Sequence, residues 1–278
     1  MKNKTKSMKK LKDEISSYNL GRQDKNKSWW EGLPMTYEDW DSKNRVPTTK
    51  EEFLKVEERF LSGNPFLYDK FDFNKFKGKK VLEIGCGSGA ASCLFAKGGA
   101  KVTSADITQT AINITKNNAR LQKVKLIVSR QDAEKLNFPD NSFDFIFSWG
   151  VLHHSQNTPK AFEEVARVLK KGGKGLIMVY NKNSLRYYVN GFYWLFLKGK
   201  IFKGYNLEKV QDFYTDGFYH RHFTPKELKK ELEKLGLKCK RISVTHMGTR
   251  MIPLLPKRAV ENLKRKYGWL LVIEFEKL

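Results

Sequence analysis

The chain has 278 residues, 40% hydrophobic and 13% aromatic, enough to bury one core with an added cap but not two large independent domains. Its formal net charge of +23 comes from 53 lysines and arginines against 30 acids, and no apolar run approaches the roughly 20 residues that a membrane-spanning helix needs. Three cysteines, at positions 86, 93 and 239, lack metal-type or redox-type spacing, which argues against a disulfide scaffold and for a reduced, cytoplasmic setting.

Residues 1–28 carry nine basic residues against three acids and no apolar signal segment, so a loose basic tail is expected there. Residues 29–78 contain Trp29, Trp30, Tyr37 and many phenylalanines, too aromatic for a linker, and should pack as a helical segment. From 79 to 182 strands and helices alternate. Val81, Leu82 and Ile84 read as a buried strand that runs through Glu83 into Gly85-Cys86-Gly87-Ser88-Gly89, a turn whose glycines let backbone approach a ligand, with a helix over Ala90 to Lys97. A second strand, Lys101 to Asp106, ends in an acid placed to accept hydrogen bonds from ribose hydroxyls. Leu126 to Val128 leads to Asp132 and Ala133, and Phe143 to Gly150 reads as a fourth, very apolar strand. An amphipathic helix over Ala161 to Lys170 is expected to end at Lys171-Gly172-Gly173, before a fifth strand from Gly175 to Tyr180.

This alternation predicts an α/β fold: a Rossmann-like, doubly wound, mostly parallel seven-stranded sheet with helices on both faces. Ligands in such sheets bind at the carboxyl ends of the strands, where the acids and the Trp149-Gly150 turn fall. Residues 183–223 interrupt the alternation with an aromatic-rich insertion that leaves this edge and returns over it, as a substrate cap would. Three readings apply: a packed helical cap, an acceptor pocket, or a membrane-surface helix over Tyr187 to Leu197 with Lys198, Lys200 and Lys203 at the headgroups. Residues 224–278 resume with a capped helix from Thr224-Pro225-Lys226-Glu227, a strand over Leu237 to Val244 and a last strand over Trp269 to Phe275.

On LEIGCGSG, DAEKLNFPDNSFD, GVLHH and VLKKGG, the stretch from Lys79 to Asn181 resembles the class I S-adenosylmethionine-dependent methyltransferases of the small-molecule type. The G-x-G-x-G loop differs from the G-x-G-x-x-G of nicotinamide dehydrogenases. The resemblance implies S-adenosyl-L-methionine as cofactor and S-adenosyl-L-homocysteine as product. It puts the methionine moiety over Gly85, Cys86 and Gly87, the ribose on Asp106, and the adenine near Ile107, Asp132 and Ala133. Trp149 and Gly150 fall beside the sulfonium, and Glu83 beneath the turn. It also implies that the N-terminal segment closes over the site as a lid, bringing Trp30 and Tyr37 to the substrate.

Methyl transfer to a hydroxyl needs a base, and His153 and His154, directly after the fourth strand, are the candidates for catalysis; in similar O-methyltransferases a histidine of this pair is implicated in activity. Tyr180 with Asn181, and His220 and His222 at the end of the cap, are candidate substrate contacts. No metal is expected, since metal-dependent relatives supply several carboxylates. Ser148-Trp149-Gly150-Val151 replaces the Asn/Asp-Pro-Pro-Tyr segment of base N-methylation, and no cysteine lies there for cytosine C5 chemistry. The leading expectation is therefore O-methylation of a small acceptor, a sugar or glycosylated metabolite, with a histidine base. Two alternatives stay open. One is a C-methyltransferase of a quinone-like lipid at the membrane surface, to which the basic stretch Arg250 to Lys266 would also bind. The other is an RNA-binding protein on a methyltransferase fold, although 41 lysines against 12 arginines also fit a purely compositional origin of the charge.

Overall fold

The computed structural model describes residues 22–32, 35–37, 45–214, 219–247 and 256–278. Eight strands form one sheet: β1 (Lys80–Ile84), β2 (Lys101–Asp106), β3 (Leu126–Arg130), β4 (Phe143–Trp149), β5 (Leu169–Asn181), β6 (His222–Phe223), β7 (Leu237–Thr245) and β8 (Leu270–Lys277). The order is β3-β2-β1-β4-β5-β8-β7, parallel from β3 to β5 and antiparallel at the β5–β8 and β8–β7 pairs. This is the expected doubly wound sheet with one strand added. The two-residue β6 pairs parallel with Tyr180 and Asn181. Since β4 stops at Trp149, opposite Met178, and β8 holds the other edge of β5, β6 occupies the place above the end of β4.

Alternation along the strands separates two cores. Leu82, Ile146, Ile177, Val179 and Ile273 face one side of the sheet, where they bury Phe162 and Val165 of α6 (Thr158–Val168) and Leu228 and Leu232 of α9 (Pro225–Glu233). Val81, Phe145, Phe147, Leu176 and Val272 face the other. There they meet Val56 and Phe60 of α2 (Lys50–Ser62), Phe66 and Leu67 of α3 (Pro65–Lys70) and Phe95 of α4 (Ala90–Lys97). The aromatic segment before the core is thus a helical layer of the second face. Its α2 starts on a capping box in which Thr49 and Glu52 satisfy each other's backbone N–H groups.

Three sequence expectations shift. Residues 1–21 of the expected tail lie outside the described residues, and helix α1 (Arg22–Glu31) crosses the expected boundary at 28. The helix over Ala161 to Lys170 begins at Thr158, on an Asn157 cap, and ends at Val168. Lys171-Gly172-Gly173, read as its terminator, lies inside the long β5, where a register shift against Phe143 and Phe145 absorbs the left-handed Gly172. Helix α10 (Lys257–Tyr267) takes up the described part of the basic stretch before β8, and residues 250–255 of that stretch lie outside the described residues. No helix among the described residues is long and apolar enough to cross a membrane, and all three cysteines are free.

Candidate active site

The glycine turn after β1 is held in a conformation other residues resist. Gly85, Gly87 and Gly89 all have left-handed φ, at 82°, 52° and 76°. A Cβ on Gly85 would stand 2.1 Å from a methyl of Val151, so the turn and the loop after β4 pack backbone against side chain. The N–H groups of Gly85 and Cys86 both donate to the carbonyl of Ala105, at 2.7 and 3.1 Å, tying the turn to β2. Asp106 completes the arrangement: one carboxylate oxygen accepts from Gly87 N at 3.1 Å, the other from Thr108 N and Oγ1 at 3.0 and 2.9 Å. Thr108 caps α5 (Gln109–Leu121). Burial raises the Asp106 pKa, against the pull of these hydrogen bonds.

Glu83 lies beneath the turn, buried, with Ser92 of α4 donating to it and Ser104 joined to Ser92. Burial pushes its pKa up to about 8, so it is mostly protonated at neutral pH. The adenine-side candidates cluster by the end of β2. The carbonyl of Ile107 accepts from Arg130 Nε at 3.1 Å, and Gln131 N donates to Asp106 O at 2.8 Å. Asp132 turns the chain by accepting from Glu134 N, and Ala133 packs on the first core.

Residues 35–37 and α1 lie across this edge. A Cβ on Gly87 would meet Met35 at 3.3 Å. Burial, and then the nearby Glu83 and Cys86, raise the pKa of Tyr37, so its phenol stays neutral beside the glycine turn. Tyr37, expected among the substrate contacts, therefore stands on the cofactor side. The Glu31 carboxylate, at the end of α1, accepts from Gln109 N, Thr110 N and Thr110 Oγ1 at 3.1, 2.8 and 2.9 Å, capping α5 from outside. Asn26 of α1 donates to the His154 carbonyl, and the Trp30 ring meets that of His154 edge-on at 5.5 Å. Sequence reading missed Asn26 and Glu31: both partners lie far along the chain, and no local pattern marks such a contact.

The second half of the site is a chamber of rings. Four of the five histidines gather around Tyr180, whose ring lies 4.0 Å from His153, 5.6 Å from His154, 5.3 Å from His220 and 5.6 Å from His222. Trp269 closes one wall at 4.7 Å from Tyr180, and Tyr187 of α7 (Leu185–Phe192) lies 4.8 Å from His222. His153 is fully buried, and neither of its ring nitrogens has a hydrogen-bond partner. His154 Nδ1 lies 3.2 Å from the Tyr219 carbonyl. Burial, then the neighbouring imidazoles, hold His153 well below the ordinary histidine range; burial and His220 push His154 down to about 3, and His222 is also held well down. His153, His154 and His222 are uncharged at neutral pH. Among the described residues no group of three or more His, Cys, Asp and Glu side chains is arranged to hold a metal ion. A polar cavity of about 340 Å³ continues from His222 between Lys182, Tyr187, Glu208, Gln211, Tyr219 and Arg221.

Two sequence candidates turn out otherwise. The Trp149 indole packs against Phe147 and Phe66 and donates to Asn64 at 3.0 Å, so its ring faces the N-terminal helical layer, while Gly150 N donates to Met178 O at 3.2 Å. Asn181 is buried and donates to Gly268 O at 2.7 Å while accepting from Asn183 N, which fixes the end of β5, so of this pair only Tyr180 stands among the histidines.

Residues 82–177 match the family model described as a methyltransferase domain, and they span this turn, Asp106 and the histidine pair. Residues 82–177 are a methyltransferase domain, built on the class I fold that S-adenosylmethionine-dependent enzymes share. The methyltransferase domain is 35% identical over 111 residues to the Ubiquinone biosynthesis O-methyltransferase of Coxiella burnetii, covering 40% of this chain and 47% of that protein. It is 36% identical over 121 residues to the Demethylmenaquinone methyltransferase of Tropheryma whipplei, covering 44% and 49%. The chain thus spans about half the length of the curated relatives it matches. In fold it resembles an S-adenosylmethionine dependent methyltransferase from Mesorhizobium loti, with a TM-score of 0.54 at 19% identity over 73% of this chain and 92% of that one. A second match, a SAM-dependent methyltransferase from Methanosarcina mazei, has a TM-score of 0.53 at 24% identity over 77% and 97%. Members of this class use S-adenosylmethionine, and the methyltransferase domain fits it: a glycine cradle, a carboxylate at the end of β2, and a buried Ser88 hydroxyl without a protein partner meet at one edge.

Proposed function

We propose that this chain methylates a hydroxyl of a small, planar acceptor held between Tyr180 and the histidines, with His153 taking the hydroxyl proton. S-adenosylmethionine, held by Gly85, Cys86, Gly87 and Asp106, supplies the electrophilic methyl group. The observation that carries the reading is His153: a fully buried imidazole with both nitrogens unpartnered is costly unless a ligand satisfies it. A neutral imidazole in this setting is a weak base, matched to a phenolic hydroxyl, pKa about 10, better than to a sugar alcohol. The walls around Tyr180 agree, being rings, and Glu208 is the one carboxylate among the described residues that line the adjoining cavity. The Coxiella burnetii relative, named as an O-methyltransferase of ubiquinone biosynthesis, supports an aromatic hydroxyl, and the Tropheryma whipplei relative keeps transfer to a quinone ring carbon as the second reading.

The test is calorimetric titration with S-adenosylmethionine and S-adenosylhomocysteine, followed by methyl-transfer assays on phenols, sugars and quinols. Binding of both ligands with turnover of phenols is expected. An absence of cofactor binding removes the proposal, and turnover confined to sugars removes its aromatic part.

A further inference from the structure

Among the described residues, nothing covers the outer face of the insertion that carries Tyr187. Along α7 and the single π-turn Tyr193–Leu197 that continues it, Tyr187, Gly191 and Leu195 recur every fourth residue and are buried. The inner stripe packs on α8 (Leu207–Tyr214): a Cβ on Gly191 would stand 2.0 Å from Leu207. The neighbouring positions Tyr188, Phe192 and Phe196 repeat at the same interval and are exposed, as are Val189 and Leu197 alongside. The Phe192 and Phe196 rings touch at 5.0 Å, making one continuous apolar strip. A left-handed Gly199 then turns the chain into the 3-10 turn Lys200–Lys203, at whose tip Phe202 is 90% exposed. A helix with apolar residues on both faces needs a second partner.

The charge around the strip states which partner. Lys198, Lys200 and Lys203 interleave with Leu197, Ile201 and Phe202, and Lys198 and Lys200 lie over the Tyr193 and Tyr205 rings at 5.4 and 5.8 Å. No acid occurs between Asn181 and Leu207. Exposed aromatics bordered by lysines alone match an anionic bilayer, whose acyl boundary takes the rings while its headgroups take the ammonium groups.

We propose that the segment from Tyr188 to Lys203 is a membrane-docking surface, seating Phe192, Phe196 and Phe202 in the interface of an anionic lipid bilayer. The arrangement is independent of the acceptor chemistry, but it has a consequence for access. Tyr187, on the buried side of the same helix, lines the cavity that leads to His222, and its ring meets Tyr188 edge-on at 5.4 Å. Docking would bring the cap side of the site against the lipid surface.

Flotation of the full chain with vesicles of phosphatidylglycerol and phosphatidylcholine, or phosphatidylcholine alone, tests this. The intact protein is expected to float with the anionic vesicles. The triple variant Phe192→Ser, Phe196→Ser, Phe202→Ser should lose partitioning roughly hundredfold, and Lys198→Gln, Lys200→Gln, Lys203→Gln by a comparable factor at low salt. A probe on Phe202→Cys should shift its emission to the blue only with the anionic vesicles. Unchanged melting and cofactor titration show that the variants are folded. An intact protein that does not float overturns the proposal. So does a phenylalanine variant that floats equally well, which would assign the binding to basic residues elsewhere. Sedimentation showing a dimer that the phenylalanine variant dissociates, with no vesicle binding, would assign the strip to a second copy of this chain.

Discussion

The main-chain N–H of Arg221 donates to the carbonyl oxygen of His153 at 2.8 Å. This bond joins the loop after β4 to the return of the insertion, and with the pairing of β6 to the end of β5 it brings His220 and His222 to the histidines that follow the sheet. Arg221 is itself held by Glu231 of α9. The ring chamber is therefore anchored on both sides by backbone.

Replacing His153 by asparagine should lower kcat by about 10²-fold or more while leaving the affinity for S-adenosylmethionine unchanged. The pH profile should be informative as well. Because His153 and His154 are held neutral far below 6.5, kcat should show no acid limb near the ordinary histidine value. Stopped assays between pH 6 and 9 with parallel calorimetry check both points; a His153→Asn variant of full activity would remove this residue from the chemistry.

Gly85→Ala should cost about 3 kcal/mol or more in stability and abolish cofactor binding, since a methyl there runs into Val151 and the left-handed φ resists it. Gly78, equally left-handed but with open space around its missing Cβ, provides the control. Its alanine variant should lose only about 1 kcal/mol, as measured by denaturant melts.

Asp106→Ala should lose at least tenfold in S-adenosylmethionine affinity. It removes the acceptor of Gly87 N and Thr108 N, so the glycine turn and the start of α5 both loosen. Unfolding free energy should fall by about 1–3 kcal/mol. Titration calorimetry and melting separate the two effects, and unaltered affinity would exclude Asp106 from the cofactor site.

Stability should peak near pH 6.5. His153, His154 and His222 are held below their ordinary value of 6.5, so their contribution is complete above that pH and is lost as the pH falls. Glu83 runs the other way: its folded pKa of about 8 lies above its ordinary 4.5, so the stability it contributes is present at low pH and lost as the pH rises towards 8. Between pH 6.5 and 8 only the Glu83 slope acts among these groups, on the order of 1–2 kcal/mol. Thermal melts across this range should show the decline in the intact protein and a flat line in Glu83→Gln.

Glu31→Ala should destabilise the packing of α1 by about 0.5–2 kcal/mol, the usual worth of a helix cap, because three donors at the start of α5 lose their acceptor. Limited proteolysis should cut sooner near α1, and cofactor dissociation should quicken if this helix works as a lid.

The parallel core and the glycine turn were legible in the chain alone. Strand alternation and a left-handed glycine triplet are local consequences of backbone sterics, visible in Val81 to Gly89 without any tertiary partner. The insertion was marked as well, through its density of aromatic residues. How distant pieces meet was settled by packing. Glu31 reaches Thr110, Asn26 reaches His154, and a two-residue strand at His222 fills the edge left free by β4, because long-range polar contacts leave no periodic trace in a chain. The same holds for the two aromatic populations of the cap: Tyr187 and Tyr188 are identical neighbours in sequence, and only packing against α8 buries one and turns the other to the surface.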